Sequence, residues 1–147
     1  MKNVGKFDWI KSATDAAHST QADLSKYPAP QKIARNLVRS ALMYEDEQWV
    51  DSITLIADEL VGNALQHAQT ASGIHFSLNI LRWCAIVAVK DGGSEFTKPI
   101  CQPVGAPPEV ESGRGLLIVD TISDYWGIQA TESGKRVFAL LLRNSTG

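Results

Sequence analysis

Glu59, Asn63 and His67 recur at i, i+4 and i+8 within Ser52–Ile53–Thr54–Leu55–Ile56–Ala57–Asp58–Glu59–Leu60–Val61–Gly62–Asn63–Ala64–Leu65–Gln66–His67. A helix brings all three close to one stripe of its surface. On that stripe the Glu59 carboxylate can accept a proton or orient a hydroxyl, and the carboxamide oxygen of Asn63 is a hard neutral ligand suited to Mg²⁺. A Glu and an Asn at this spacing also describe a solvated helix face. The neighbours Leu55, Ile56, Leu60, Val61 and Leu65 are apolar enough to bury much of the helix, so the polar groups are expected to line a cleft. His67 either shares the cleft or caps the last turn.

Three further segments carry chemistry. Asp91–Gly92–Gly93 follows an apolar stretch. A carboxylate there, beside glycines that let a flat ligand approach the backbone, can accept from the amino group of adenine, and the same residues also suit a tight turn. Gly113–Arg114–Gly115 precedes an apolar helix. Free backbone N–H groups and the positive helix end suit phosphates, with Arg114 adding charge; a flexible hinge is the other reading. Lys135, at the head of the last apolar stretch, either reaches a phosphate or solubilises a hairpin. Neither a Rossmann fingerprint nor a P-loop is complete, since no third glycine follows Gly115 and Gln129 stands where a P-loop needs glycine before Gly134–Lys135.

The elements that must position these residues are legible as patterns. Pro28 and Pro30 introduce Ile33, Ala34, Leu37, Val38, Ala41 and Leu42, which predict an amphipathic helix to about Met43. Glu45, Asp46 and Glu47 sit where a second helix begins, and it is expected to reach about Ala68. Gly73 marks a turn before Ile74 to Leu81 and Trp83 to Val89, an antiparallel pair joined at Arg82. Ser94 to Ser112 holds four prolines and reads as a long loop of the kind that covers ligands. Leu116 to Val119 reads as a helix, and Tyr125 to Ala130 with Arg136 to Leu142 as a closing hairpin around Ser133–Gly134. Residues 1–27 are polar with scattered aromatics and read as a loose amino-terminal arm with room for a short strand or helix.

At 147 residues the chain fits one domain, and a net charge of −2 gives no electrostatic argument for nucleic acid or an anionic membrane. No stretch approaches the ~20 apolar residues of a membrane span, and Asp8, Lys11 and Asp15 interrupt any apolar leader. A cytoplasmic location is the expectation, and without secretion the acceptor pattern Asn144–Ser145–Thr146 carries no glycan. Cys84 and Cys101 lack the spacing of a zinc knuckle or redox pair, and both read as structural thiols.

In order, Glu59–x–x–x–Asn63, Asp91–x–Gly93 and Gly113–x–Gly115 resemble the N, G1 and G2 boxes of the GHKL superfamily, the Bergerat fold. The resemblance covers roughly Pro28 to Arg143, and Glu111–Ser112–Gly113–Arg114–Gly115–Leu116 looks most like the bacterial anti-sigma factor serine/threonine kinases. It implies an α+β, two-layer sandwich with a mixed, mostly antiparallel sheet covered on one face by helices, and a single histidine kinase-like ATP-binding domain over 28–147. It also implies ATP and Mg²⁺ bound beneath the loop from Ser94 to Ser112, with Asn63 on the metal and Asp91 on adenine. Gly93, Gly113, Arg114, Gly115, Leu116 and Lys135 would lie about the nucleotide, and Glu59 would act as catalytic base toward a serine or threonine hydroxyl. The implied partners are a STAS-type anti-sigma factor antagonist, a sigma factor held by the kinase, and a second copy of the chain. Glu95 stands where the family's G1 box usually has a further glycine, and the proline-rich lid lacks a basic clamp. A nucleotide-binding regulatory module without phosphoryl transfer is therefore the alternative reading. Nothing resembles the separate phosphoacceptor hairpin of a histidine kinase.

Overall fold

Pro30 stands in the first turn of helix α1 (Pro30–Ala41), where a missing N–H breaks no helical bond. Ala34 and Val38 are buried, with Ile33, Leu37 and Ala41 half-buried beside them, which gives α1 one apolar stripe. Helix α2 (Glu47–His67) starts where the Asp46 carboxylate accepts the Trp49 N–H at 3.1 Å. Its Ile53, Ile56, Ala57, Leu60, Val61 and Ala64 are all buried. The computed structural model describes residues 18–67, 73–91, 113–130 and 134–143, so the loop from Ser94 to Ser112 and Cys101 lie outside the described residues.

Five strands form one sheet: β1 (His18–Asp23), β2 (Ile74–Ile80), β3 (Cys84–Asp91), β4 (Tyr125–Ala130) and β5 (Lys135–Leu142). Their order is β1-β2-β3-β5-β4, and every described pair is antiparallel. Helix α3 (Gly113–Ile122) joins α1 and α2 on one face of the sheet. Ile74, Phe76 and Leu78, Ala85, Val87 and Val89, and Val137, Ala139 and Leu141 point into the core beneath the helices. Gly73 enters β2 at φ +101°, a conformation that would strain any other residue, with the His75 ring 3.2 Å from where a Cβ would stand.

The helices and both hairpins fall where patterning placed them. Two features go beyond that reading. His18–Asp23, within the polar segment 1–27, pairs along β2 as an edge strand, where the Ser19 hydroxyl donates to buried Asn79 Oδ1 at 2.7 Å. And β5 is inserted between β3 and β4, so the two hairpins share one sheet through a long-range pair. Cys84 is buried, and burial pushes its thiol up to about 11 against the opposing charge of Arg143, which fits a structural cysteine. Among the described residues no helix is long and apolar enough to cross a membrane.

Arg143 ties the far end of the sheet to the start of α2. Its guanidinium lies 4.5 Å from the Trp49 ring centroid and pairs with the Glu45 carboxylate. It also donates to the carbonyls of Arg82 at 3.0 Å and Leu81 at 3.2 Å, while its backbone N–H donates to the Trp83 carbonyl at 2.8 Å. Arg143→Ala is expected to cost about 2 kcal/mol, the cation–π contact and two hydrogen bonds together. In a thermal melt that corresponds to a fall of roughly 4–8 °C. Arg143→Lys should not restore it, because a single ammonium cannot stack and fork at once.

Candidate functional site

The Arg143 contacts fix the direction of α2 over the sheet. Trp49 and Glu45 lie at the end where Cys84 pairs with Leu142. From there α2 runs 21 residues, about 31 Å, while β3 runs 8 residues, about 26 Å, alongside it. The last turns of α2, with Glu59 and Asn63, therefore lie toward the end of the sheet where β3 finishes at Asp91.

At that end Asp91 is buried and pairs in register with Ile74 on one side and Lys135 on the other. Strand alternation turns Asp91 and Lys135 to the helix side, because Val89 and Val137, two residues away, are part of the core there. Lys135 is half-buried. The sheet thus delivers an acidic and a basic residue, side by side, beneath the last turns of α2.

Asn63 is 8% exposed, and its Oδ1 is buried with no hydrogen-bond partner among the described residues. A buried acceptor left unpaired costs about 1–3 kcal/mol, so its persistence points to an occupant other than the described residues. One turn earlier Glu59 is half-buried, and its carboxyl titrates above the ordinary range, first from desolvation and second from the neighbouring charge of Asp58. Asp58 itself is paired with Arg35 of α1. Gln31, also on α1, donates to the Asp58 carbonyl at 3.2 Å and lies against Gly62, where a Cβ would stand 2.9 Å from its amide nitrogen. These α1 contacts hold the Glu59 turn, and spacing within α2 gave no sign of them, since Arg35 and Asp58 meet only across two helices.

Gly113, Arg114 and Gly115 form the first turn of α3, which packs against α2. Leu116 follows, half-buried against the core. The side chains of Arg114 and His67 and all of Gly93 lie outside the described residues. Among the described residues no group of three or more His, Cys, Asp or Glu side chains gathers as a metal cage. A divalent ion here would rest on Asn63, on water and on the oxygens of a bound phosphate, since Mg²⁺ commonly keeps several waters and is bound in part through substrate phosphates.

A family model described as the histidine kinase-like ATPase domain matches residues 20–140. Among solved structures, the chain is similar to the RsbU and RsbW domains of Rv1364c from Mycobacterium tuberculosis, with a TM-score of 0.61 at 16% identity. That match covers 86% of this chain and 33% of the other, so this chain spans about a third of its length. No curated protein matches the chain in sequence. The structural likeness shows the shared fold; the family match extends over most of the residues, both hairpins and the helix that carries Glu59 and Asn63. The chain belongs to the histidine kinase-like ATPase domain family, within the GHKL superfamily.

Proposed function

We propose that the chain binds Mg-ATP between α2 and α3 and acts as a serine/threonine kinase of the anti-sigma factor type, its substrate a STAS-type antagonist and its second partner a sigma factor. The observation that carries the nucleotide reading is the buried Oδ1 of Asn63, a hard oxygen with no partner among the described residues, in a family of ATPase domains. The likeness to the RsbU and RsbW domains of Rv1364c supports the regulatory setting.

Bound ATP with its Mg²⁺ would supply the transferable phosphoryl group and shield its charge. Asn63 holds the metal, and Asp91 accepts from the adenine amino group. Gly93 lets the base approach the backbone. The N–H groups of Gly113, Arg114, Gly115 and Leu116 cradle phosphates at the start of α3, and Lys135 adds charge from β5. Glu59 takes the proton of the substrate hydroxyl. The chain works as a homodimer through the sheet face away from the helices, where Trp83, Tyr125 and Leu142 are exposed.

Asn63→Ala removes an acceptor that has no partner to lose. Its melting temperature without nucleotide should stay near native, while the shift produced by Mg-ATP, about 2.7 kcal/mol at 100 times the dissociation constant, should vanish. A native-like Mg-ATP shift in this variant would sink the metal assignment.

Glu59→Gln should lower phosphorylation of a protein substrate by roughly 100-fold or more, since general base catalysis contributes that much. A carboxyl raised in the fold adds stability below its unfolded value and loses it as pH rises through the folded value, so ionised Glu59 is a liability at neutral pH. The Gln variant should therefore melt no lower than native at pH 7. In the native enzyme the acid limb of the rate should lie above the usual glutamate range, and Asp58→Asn should move it down. Unchanged transfer by Glu59→Gln would overturn the assignment of Glu59 as the base, whereas no transfer by the native chain would leave the nucleotide-binding module without kinase activity as the correct reading.

Sedimentation of the native chain at micromolar concentration should give a dimer mass, and Leu142→Glu a monomer; a native monomer would exclude the sheet-face dimer.

A further inference from the structure

Helix α2 carries two carboxylates in succession, Asp58 and Glu59, at the turn that forms the site. Successive residues on a helix point about 100° apart, so they cannot share one surroundings. Asp58 is turned to α1 and pairs with the Arg35 guanidinium, whereas among the described residues Glu59 makes no ion pair. The same division recurs one turn on. Gly62 lies against Gln31 of α1, and Asn63, next in the chain, keeps its buried oxygen for the site. Each of the two site residues thus follows directly on a residue that α1 contacts.

α1 holds Asp58 at two points. Arg35 takes its carboxylate, and Gln31, one turn earlier, donates from its carboxamide to the Asp58 carbonyl at 3.2 Å. The Arg35 and Asp58 side chains stay 41% and 26% exposed, and an ion pair so placed adds little to stability. Its consequence lies beside it. A second free carboxylate next to Glu59 would oppose ionisation of the base and compete with it for the substrate hydroxyl.

Asp58 already acts in the first way, because its charge, after burial, pushes the Glu59 carboxyl up. The other cation that α1 pairs with α2, Arg39, meets Asp51 at 3.6 Å, two turns before Glu59. From the sheet, Asp91 and Lys135 face the last turns of α2 as an opposite pair, and the Arg114 side chain on α3 lies outside the described residues. Arg35 is therefore the charge set directly against Asp58.

We propose that Arg35 is a positioning residue for the base: it holds the Asp58 carboxylate against α1 and offsets its charge there, so that of two adjacent carboxylates only Glu59 addresses the substrate hydroxyl. This role rests on the reading of Glu59 as the base.

Carbon-13 NMR of the Glu59 carboxyl, followed across the acid range in the full chain without nucleotide, gives the midpoint of its ionisation directly. Arg35→Gln should raise that midpoint by about 0.4 of a pH unit, the order of a Coulomb interaction between neighbouring charges in water. Arg35→Lys should keep the native midpoint, because it keeps the charge. In a chain that already carries Asp58→Asn, Arg35→Gln should have little effect, since Arg35 acts through Asp58. Arg39→Gln breaks the other ion pair between the two helices and should change nothing, whereas a merely structural role for Arg35 predicts the same result from both variants. In phosphorylation of a protein substrate, the acid limb of kcat should rise with the midpoint in Arg35→Gln while KM for ATP stays native. A midpoint that stays or falls in Arg35→Gln, or that rises equally in the presence of Asp58→Asn, would overturn the role even in a chain that transfers phosphate. A native chain that transfers none fails at the base itself, and the role of Arg35 goes with it.

Discussion

Burial of α2 against the sheet is the constraint on which the rest of the molecule depends. Ile53, Ile56, Leu60 and Val61 are essentially inaccessible, and each contributes about 1.5–3 kcal/mol through removal from water. That is enough to hold the helix down although Asn63 keeps an unpaired oxygen and Glu59 loses hydration two turns from its end. The site is therefore made by over-determination. Apolar contacts fix the position of α2 so firmly that the Asn63 oxygen on the same helix can go without a partner among the described residues.

The second element of the design is strand alternation at the ends of β3 and β5. Asp91 and Lys135 face the helices, whereas Lys90 and Arg136 face away. One pair of strands thus presents different chemistry to two faces, and a one-residue slip in their register would exchange them. The apolar residues of β3 guard against that slip, since Ala85, Val87 and Val89 are buried beneath α2, and Cys84, Ile86 and Ala88 are buried on the opposite face. Arg143 holds the same register from the other end through its bond to the Trp83 carbonyl.

Much of this was legible in the sequence because it is local. Helical spacing marked α1 and α2, β-branched runs marked β2 and β3, and Ser133–Gly134 marked the last hairpin. The Glu59–Asn63 pair was legible for the same reason. What could not be read is non-local. β1 is a polar run, His18–Ser19–Thr20–Gln21–Ala22–Asp23, whose pairing partner lies more than fifty residues along the chain, and an edge strand with one polar face has no apolar alternation to announce it. The Arg35–Asp58 pair, the Arg143 clamp and the insertion of β5 all arise from contacts between segments distant in sequence. That the Asn63 oxygen has no partner is likewise a property of its surroundings rather than of the residue.

The place of β5 also bears on how the protein comes to be folded. It is the last strand of the sheet in chain order, yet it lies inside the sheet, hydrogen-bonded to β3 on one side and β4 on the other. During synthesis β1, β2 and β3 emerge from the ribosome with the bonding edge of β3 open, and β4 has no neighbour to join until Lys135–Leu142 has cleared the exit tunnel. The nascent chain thus carries an unfilled slot shaped for a strand, along with the apolar faces of α1 and α2, until nearly all of the domain is made. Unpaired edges of this kind are where aggregation begins. The sheet cannot be completed before β5 is available, and the interval before that is when a chaperone would find the most to hold.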